Sequence, residues 1–212
     1  MIHSDATLPE GYLTTLVAAG FGNDTESETL LRTALSHSHP QVRTLALRGL
    51  LRRERITSGE WESQVRDRDS SVRREALNEA GHRASNPLSD EVFLGVLQDN
   101  DALVVEAAIF AAGERRILAA RQTIEDIARH HEDARCREIA VVALAQIGEP
   151  TSLPVIIRTL SDKPTVRRRT VVALSGFEGD EVEAALDQAS QDRDWQVRSA
   201  VERLRRVDSV DE

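Results

Sequence analysis

Six copies of one short pattern, about 31 residues apart, run through this chain of 212 residues. The anchors are Val42-Arg43, Val72-Arg73, Val104-Val105, Cys136-Arg137, Val166-Arg167 and Val197-Arg198, with spacings of 30, 32, 32, 30 and 31 residues. A fixed period of roughly 20–50 residues belongs to chains made of supersecondary units that bury their apolar faces only by stacking on one another. Such a chain has an extended core, and a binding scaffold is the function class it serves most directly.

The local pattern makes each anchor the start of a helix. Three residues before it stand His39, Asp69, Asp101, Asp133, Lys163 and Asp194. Aspartate there accepts from the orphan N–H groups of a first turn. Next come Pro40, Ser70, Ala102, Ala134, Pro164 and Trp195, and proline suits the first helical position because its missing N–H would be unpaired there. Past the anchor, apolar residues follow helical spacing, as in Cys136, Ile139, Ala140, Ala143, Leu144 and Ile147, with Gly148 placed as a C-cap. Gly176 ends the fifth copy in the same way. Four residues after each anchor a small or β-branched side chain (Ala46, Ala76, Ala108, Ala140, Thr170, Val201) lets helices approach closely. A first helix precedes each of these, over 28–35, 60–66, 90–97, 121–128, 153–160 and 181–189, with Ser89 and Thr151 as N-caps. Two helices in about 31 residues leave only short loops, so consecutive helices are antiparallel. No period-two alternation predicts a strand.

Composition narrows the function. The net charge of −9 disfavours nonspecific attraction to nucleic acid or an anionic membrane. No stretch reaches the roughly 20 apolar residues that cross a bilayer, and Met1-Ile2-His3-Ser4-Asp5 lacks the pattern of a signal peptide. One cysteine excludes an intrachain disulfide and fits a reducing compartment. The expected setting is cytoplasmic. Aromatics are 3% of the chain, so Ala and Leu must carry the core, and Trp61 and Trp195 are expected to pack into it.

The loop-to-helix segments Asp67-Arg68-Asp69-Ser70-Ser71-Val72-Arg73 and Asp192-Arg193-Asp194-Trp195-Gln196-Val197-Arg198 resemble HEAT repeats. They are most similar to the short bacterial subtype also found in phycobiliprotein-lyase-like proteins. The resemblance covers roughly residues 25–206. It implies an all-α fold, an α-α superhelix (solenoid) of about six HEAT-like helical-hairpin repeats. Residues 1–24 would form an N-terminal cap, 25–206 the solenoid and 207–212 an acidic tail. The implied role is a non-enzymatic scaffold that binds a protein on its concave face, which the second helices line, and a monomer is expected. The alternatives the resemblance carries are a nucleic-acid-binding protein related to HEAT-like DNA glycosylases, or a bilin-lyase-like protein.

No catalytic constellation, cofactor motif or metal spacing stands out. HEAT-like iron hydroxylases carry His-Glu pairs inside second helices, whereas His131-Glu132 lies in a loop, and the loop histidines are read as replacements for an aspartate. Cys136 fills an anchor slot held elsewhere by valine and reads as a small buried hydrophobe. Arg43, Arg73, Arg137, Arg167 and Arg198 put a cation in a first turn, against the helix dipole. Their expected compensation is a structural ladder, each meeting a loop aspartate (Asp67, Asp99 or Asp192) or helix-end carbonyls of a neighbouring repeat. The Arg52/Arg53/Arg55 and Arg203/Arg205/Arg206 clusters read as solvated helix ends. Arg168 and Arg169 lack that explanation and are the candidate residues for binding an acidic partner.

Overall fold

The computed structural model describes residues 8–83 and 87–208, and among these it contains thirteen α-helices and no strand. The chain divides into two compact bodies, residues 1–76 and 77–212. In the N-terminal body α1 (Tyr12–Ala19) packs on α2 (Thr25–Ala34) and α3 (Pro40–Arg52), followed by α4 (Ser58–Val65) and the start of α5 (Ser70–Gly81), which runs across the division. The C-terminal body continues with α6 (Asp90–Val96), α7 (Ala102–Glu114), α8 (Arg121–His130), α9 (Ala134–Ile147), α10 (Leu153–Arg158), α11 (Pro164–Leu174), α12 (Asp180–Ser190) and α13 (Trp195–Asp208). The helices α2 to α13 fall into six hairpins, each a first helix followed by a second. Part of the proposed cap (residues 1–7) and of the tail (residues 209–212) lies outside the described residues.

The second helices pack side by side, α7 on α9, α9 on α11 and α11 on α13. The first residue of each anchor (Val42, Val72, Val104, Cys136, Val166 and Val197) is fully buried, and so are Ala46, Ala76, Ala108, Ala140 and Thr170 in the small-residue slot. Close approach reaches its limit at Gly113, where an added Cβ would lie 2.8 Å from Ala143 Cβ and 2.9 Å from Ala143 Cα. Trp61 is buried and its indole N–H donates to Ala76 O at 3.0 Å.

The capping chemistry follows the sequence closely, with instructive departures. Asp69, Asp101, Asp133 and Asp194 each accept from the backbone N–H two residues on. His39 and Lys163 make no such bond, and those two helices begin with Pro40 and Pro164, which present no N–H to be satisfied. Thr57 and Glu60 form a capping box outside the recurring aspartate pattern. Thr151 is not a cap: a 3₁₀ turn over Pro150–Ser152 precedes α10, and Thr151 bonds Glu149 instead. Gly148 is left-handed with φ 73°, whereas Gly176 is not needed for that purpose because Ser175 ends α11 in a right-handed conformation.

Candidate protein-interaction site

The arginine that follows the anchor in five of the six repeats is built into its loop. Arg43 Nε and Nη2 donate to the two oxygens of Asp67 at 2.7 and 2.6 Å, 24 residues on. Arg137 clasps Asp162 in the same way at 2.6 and 2.7 Å, and Arg167 clasps Asp192 at 2.7 Å for both nitrogens. The third nitrogen, Nη1, turns back to the carbonyls of the arginine's own loop: His37 and Ser38 for Arg43, His131 and Glu132 for Arg137, Asp162 for Arg167. Arg73 and Arg198 make that backward bond too, to Asp67 O and to Asp192 O at 2.8 Å. Each clasp thus ties one hairpin's loop to the next through planar, charge-assisted pairs. Both partners are largely buried, with Arg43 and Asp67 side chains 4% and 8% exposed.

Asp162 was not among the expected partners. It stands four residues before its anchor rather than five, because that loop is one residue shorter. A signal in the chain could have revealed it. An acid occupies this slot in the repeats that follow an arginine: Asp67 after Arg43, Asp99 after Arg73, Asp162 after Arg137 and Asp192 after Arg167. The slot holds His37 where only α1 precedes, and His131 where Val105 replaces the arginine. The acid has a second duty that histidine can share. Asp67, Asp99, Asp162 and Asp192 accept a loop backbone N–H through Oδ1. His37 and His131 accept the equivalent N–H through Nδ1 at 3.0 and 3.1 Å. An imidazole keeps the turn by accepting the same N–H and avoids a half-buried carboxylate with no cation.

Electrostatics agree with the geometry. The Arg137 guanidinium holds the Asp162 carboxyl below the ordinary aspartate value against the opposing effect of burial, and Arg167 does the same for Asp192. Asp133 falls to about 2, chiefly through its bonds with the Arg135 side chain and backbone. Burial pushes the Cys136 thiol up to about 11, and its Sγ lies 3.2 Å from Ala102 O as a donor. A thiol so placed stays protonated and is a poor nucleophile at neutral pH. Among the described residues no group of three or more His, Cys, Asp or Glu side chains could hold a metal ion. No described helix is long and apolar enough to cross a membrane.

The remaining surface of the second helices in the C-terminal body is mixed. Six residues past their anchors, Phe110, Val142 and Val172 form a row, with Val172 53% exposed. Phe110 also stacks obliquely on His82, with ring centroids 5.0 Å apart. Polar bridges link neighbouring helices across this surface: Arg169 to Glu138 at 2.9 Å, Gln146 to Glu114, and Arg168 to Gln196 at 3.2 Å. Arg168 and Arg169 therefore lie one helical position apart in different company, the first on an amide and the second in an ion pair. Two expectations need correction. Trp195 is 65% exposed rather than packed in the core, because the first helical position points out of the stack. Arg53 is no solvated end, since it donates to Ala19 O and Asp24 O and ties α1 to the first hairpin. A shallow cleft of about 480 Å³ between α8 and α10 is lined by Arg129, Arg137, Arg158 and Asp162.

Comparison with known proteins agrees with this architecture. Residues 121–205 match the family model for HEAT repeats. No curated protein matches the chain. Solved structures do. An engineered protein superposes with a TM-score of 0.62 at 18% identity, covering 85% of this chain and 95% of its own. The YibA protein of Escherichia coli gives 0.61 at 18% identity, over 96% of this chain and 79% of its own. A designed armadillo repeat protein, solved in complex with a (KR)4 peptide, gives 0.55 at 15% identity, over 91% and 98%. Residues 121–205 are thus similar to HEAT repeats, and the chain has the all-helical repeat fold of these solved structures.

Proposed function

We propose that this protein is a non-enzymatic scaffold that binds a segment of another protein across the exposed face of its second helices. The observation that carries the reading is the row Phe110, Val142 and Val172, set among polar groups on three adjacent helices. An apolar strip rimmed by charge is the composition of a protein-binding surface rather than of a solvated helix. Arg168, one turn before Val172, supplies a cation on the same face, with Arg169 beside it. The peptide complex of the designed armadillo relative supports the same use of this fold. The net charge of −9 favours a protein over nucleic acid as the partner. The buried Cys136 suits a cytoplasmic setting. In this reading the chain acts as a monomer, with residues 1–24 as a cap, 25–206 as the repeat array and 207–212 as a tail.

The test is capture of partners from lysate by the wild-type chain and by Val172→Glu and Arg168→Glu. Both variants are expected to keep the native melting temperature and to lose the captured protein. Unchanged capture by both would overturn the assignment to this face.

A further inference from the structure

Arg198 is the one member of its series whose Nε–Nη2 fork has no partner among the described residues. Its Nη1 donates to Asp192 O and Arg193 O at 2.8 and 3.2 Å, as Arg43 and Arg137 do to their own loops. The guanidinium is therefore held as in the other clasps, and the fork that elsewhere grips the next hairpin's aspartate meets no acceptor among the described residues. Three residues earlier on the same helix face is Trp195, 65% exposed. Tryptophan and arginine are the side chains that most often dominate binding energy at protein interfaces.

We propose that the side of α13 away from α11 and α12 is an interaction surface for another helical-hairpin repeat, whose loop aspartate fills the Arg198 fork while Trp195 packs against the incoming hairpin. The occupant's chemistry follows from the three filled clasps: a carboxylate presented by a helix-connecting loop, as by Asp67, Asp162 and Asp192. A second copy docking through its first repeat does not meet this requirement, because it would offer the Nδ1 of His37, already engaged by His39 N–H, instead of a carboxylate.

The probe is a synthetic peptide copying residues 180–206, which carries the Asp192-Arg193-Asp194 loop, titrated into the full chain while the arginine Nε–H signals are followed by NMR. The Arg198 signal is expected to shift, with millimolar or tighter binding. Arg198→Lys, or a peptide carrying Asp192→Asn, should weaken binding about tenfold, since a bidentate charged pair is lost. No shift of Arg198 at millimolar peptide, or equal affinity with Arg198→Lys, overturns the proposal. Thermal melts of the free chain add a second arm. Arg167→Lys, which loses a filled fork as well as its loop-carbonyl bond, should lower the melting temperature more than Arg198→Lys, which loses only loop-carbonyl bonds. An equal fall would mean that the fork is already filled within the chain, and would overturn the proposal too.

Discussion

Asp162 receives Arg137 through both fork nitrogens, Nε at 2.6 Å and Nη2 at 2.7 Å, across a loop one residue shorter than those that present Asp67 and Asp192. The shortening changes the turn and preserves the clasp. With side chains 13% and 16% exposed, the pair is sheltered enough for its hydrogen bonds to count and close enough to water for desolvation to be modest.

Removing the cation should therefore be costly. Arg137→Ala leaves Asp162 and two loop carbonyls short of donors, and should destabilise the protein by about 1–3 kcal/mol in denaturant melts. Among the described residues Arg168 bonds only the exposed amide of Gln196. Its replacement by Ala should change stability by no more than roughly 0.5 kcal/mol. Equal, small effects for both would remove the arginines from the account of stability.

The missing clasp can be restored. Val105 is buried and His131 occupies the acid slot of the following hairpin. Val105→Arg alone places a cation against an imidazole with no carboxylate to receive it, and His131→Asp alone places a carboxylate there without a cation. Each is expected to destabilise. Combined, they should show a favourable coupling of about 0.5–3 kcal/mol in a double-mutant cycle. Strict additivity would refute the pairing rule.

Acid should act on the clasps. Asp162 and Asp192 are held below their ordinary values by Arg137 and Arg167. A carboxylate with a depressed native pKa binds fewer protons folded than unfolded. Its contribution is whole above the unfolded value, about 3.9, and is lost as pH falls through the native values. Denaturant midpoints measured from about pH 6 down to about pH 3 should fall less steeply in Arg137→Ala than in the wild type. Parallel curves would contradict the linkage.

Two backbone positions give opposite expectations. Glu54, Arg116 and Gly148 all stand twelve residues past an anchor, and all are left-handed, with φ of 54°, 52° and 73°. Arg116 ends α7 in a Schellman turn in which Ile117 N donates to Ala112 O at 3.0 Å. Arg116→Gly should stabilise by roughly 1 kcal/mol, because only glycine adopts this conformation without cost. Gly113→Ala should destabilise by about 1–3 kcal/mol despite its better helix propensity, since its methyl would meet the α9 backbone at Ala143. Thermal or denaturant melts decide both.

The helical hairpins, their period, their aspartate caps and the left-handed turn at Gly148 were determined by the sequence itself. Each of these depends on bonds closing within a few residues: Asp133 reaches Arg135 N–H, and the apolar residues of α9 repeat along one helix face. The tertiary structure alone decided which aspartate each arginine holds, where Arg168 and Arg169 find partners, and that Trp195 faces outward while Trp61 is buried. The physical reason is distance along the chain. A clasp closes over 24 or 25 residues, so its register depends on every loop between and on how closely helices such as α7 and α9 can stack. A single residue missing from one loop moves Asp162 out of the slot where a pattern would seek it, and the packed hairpins still carry it to Arg137.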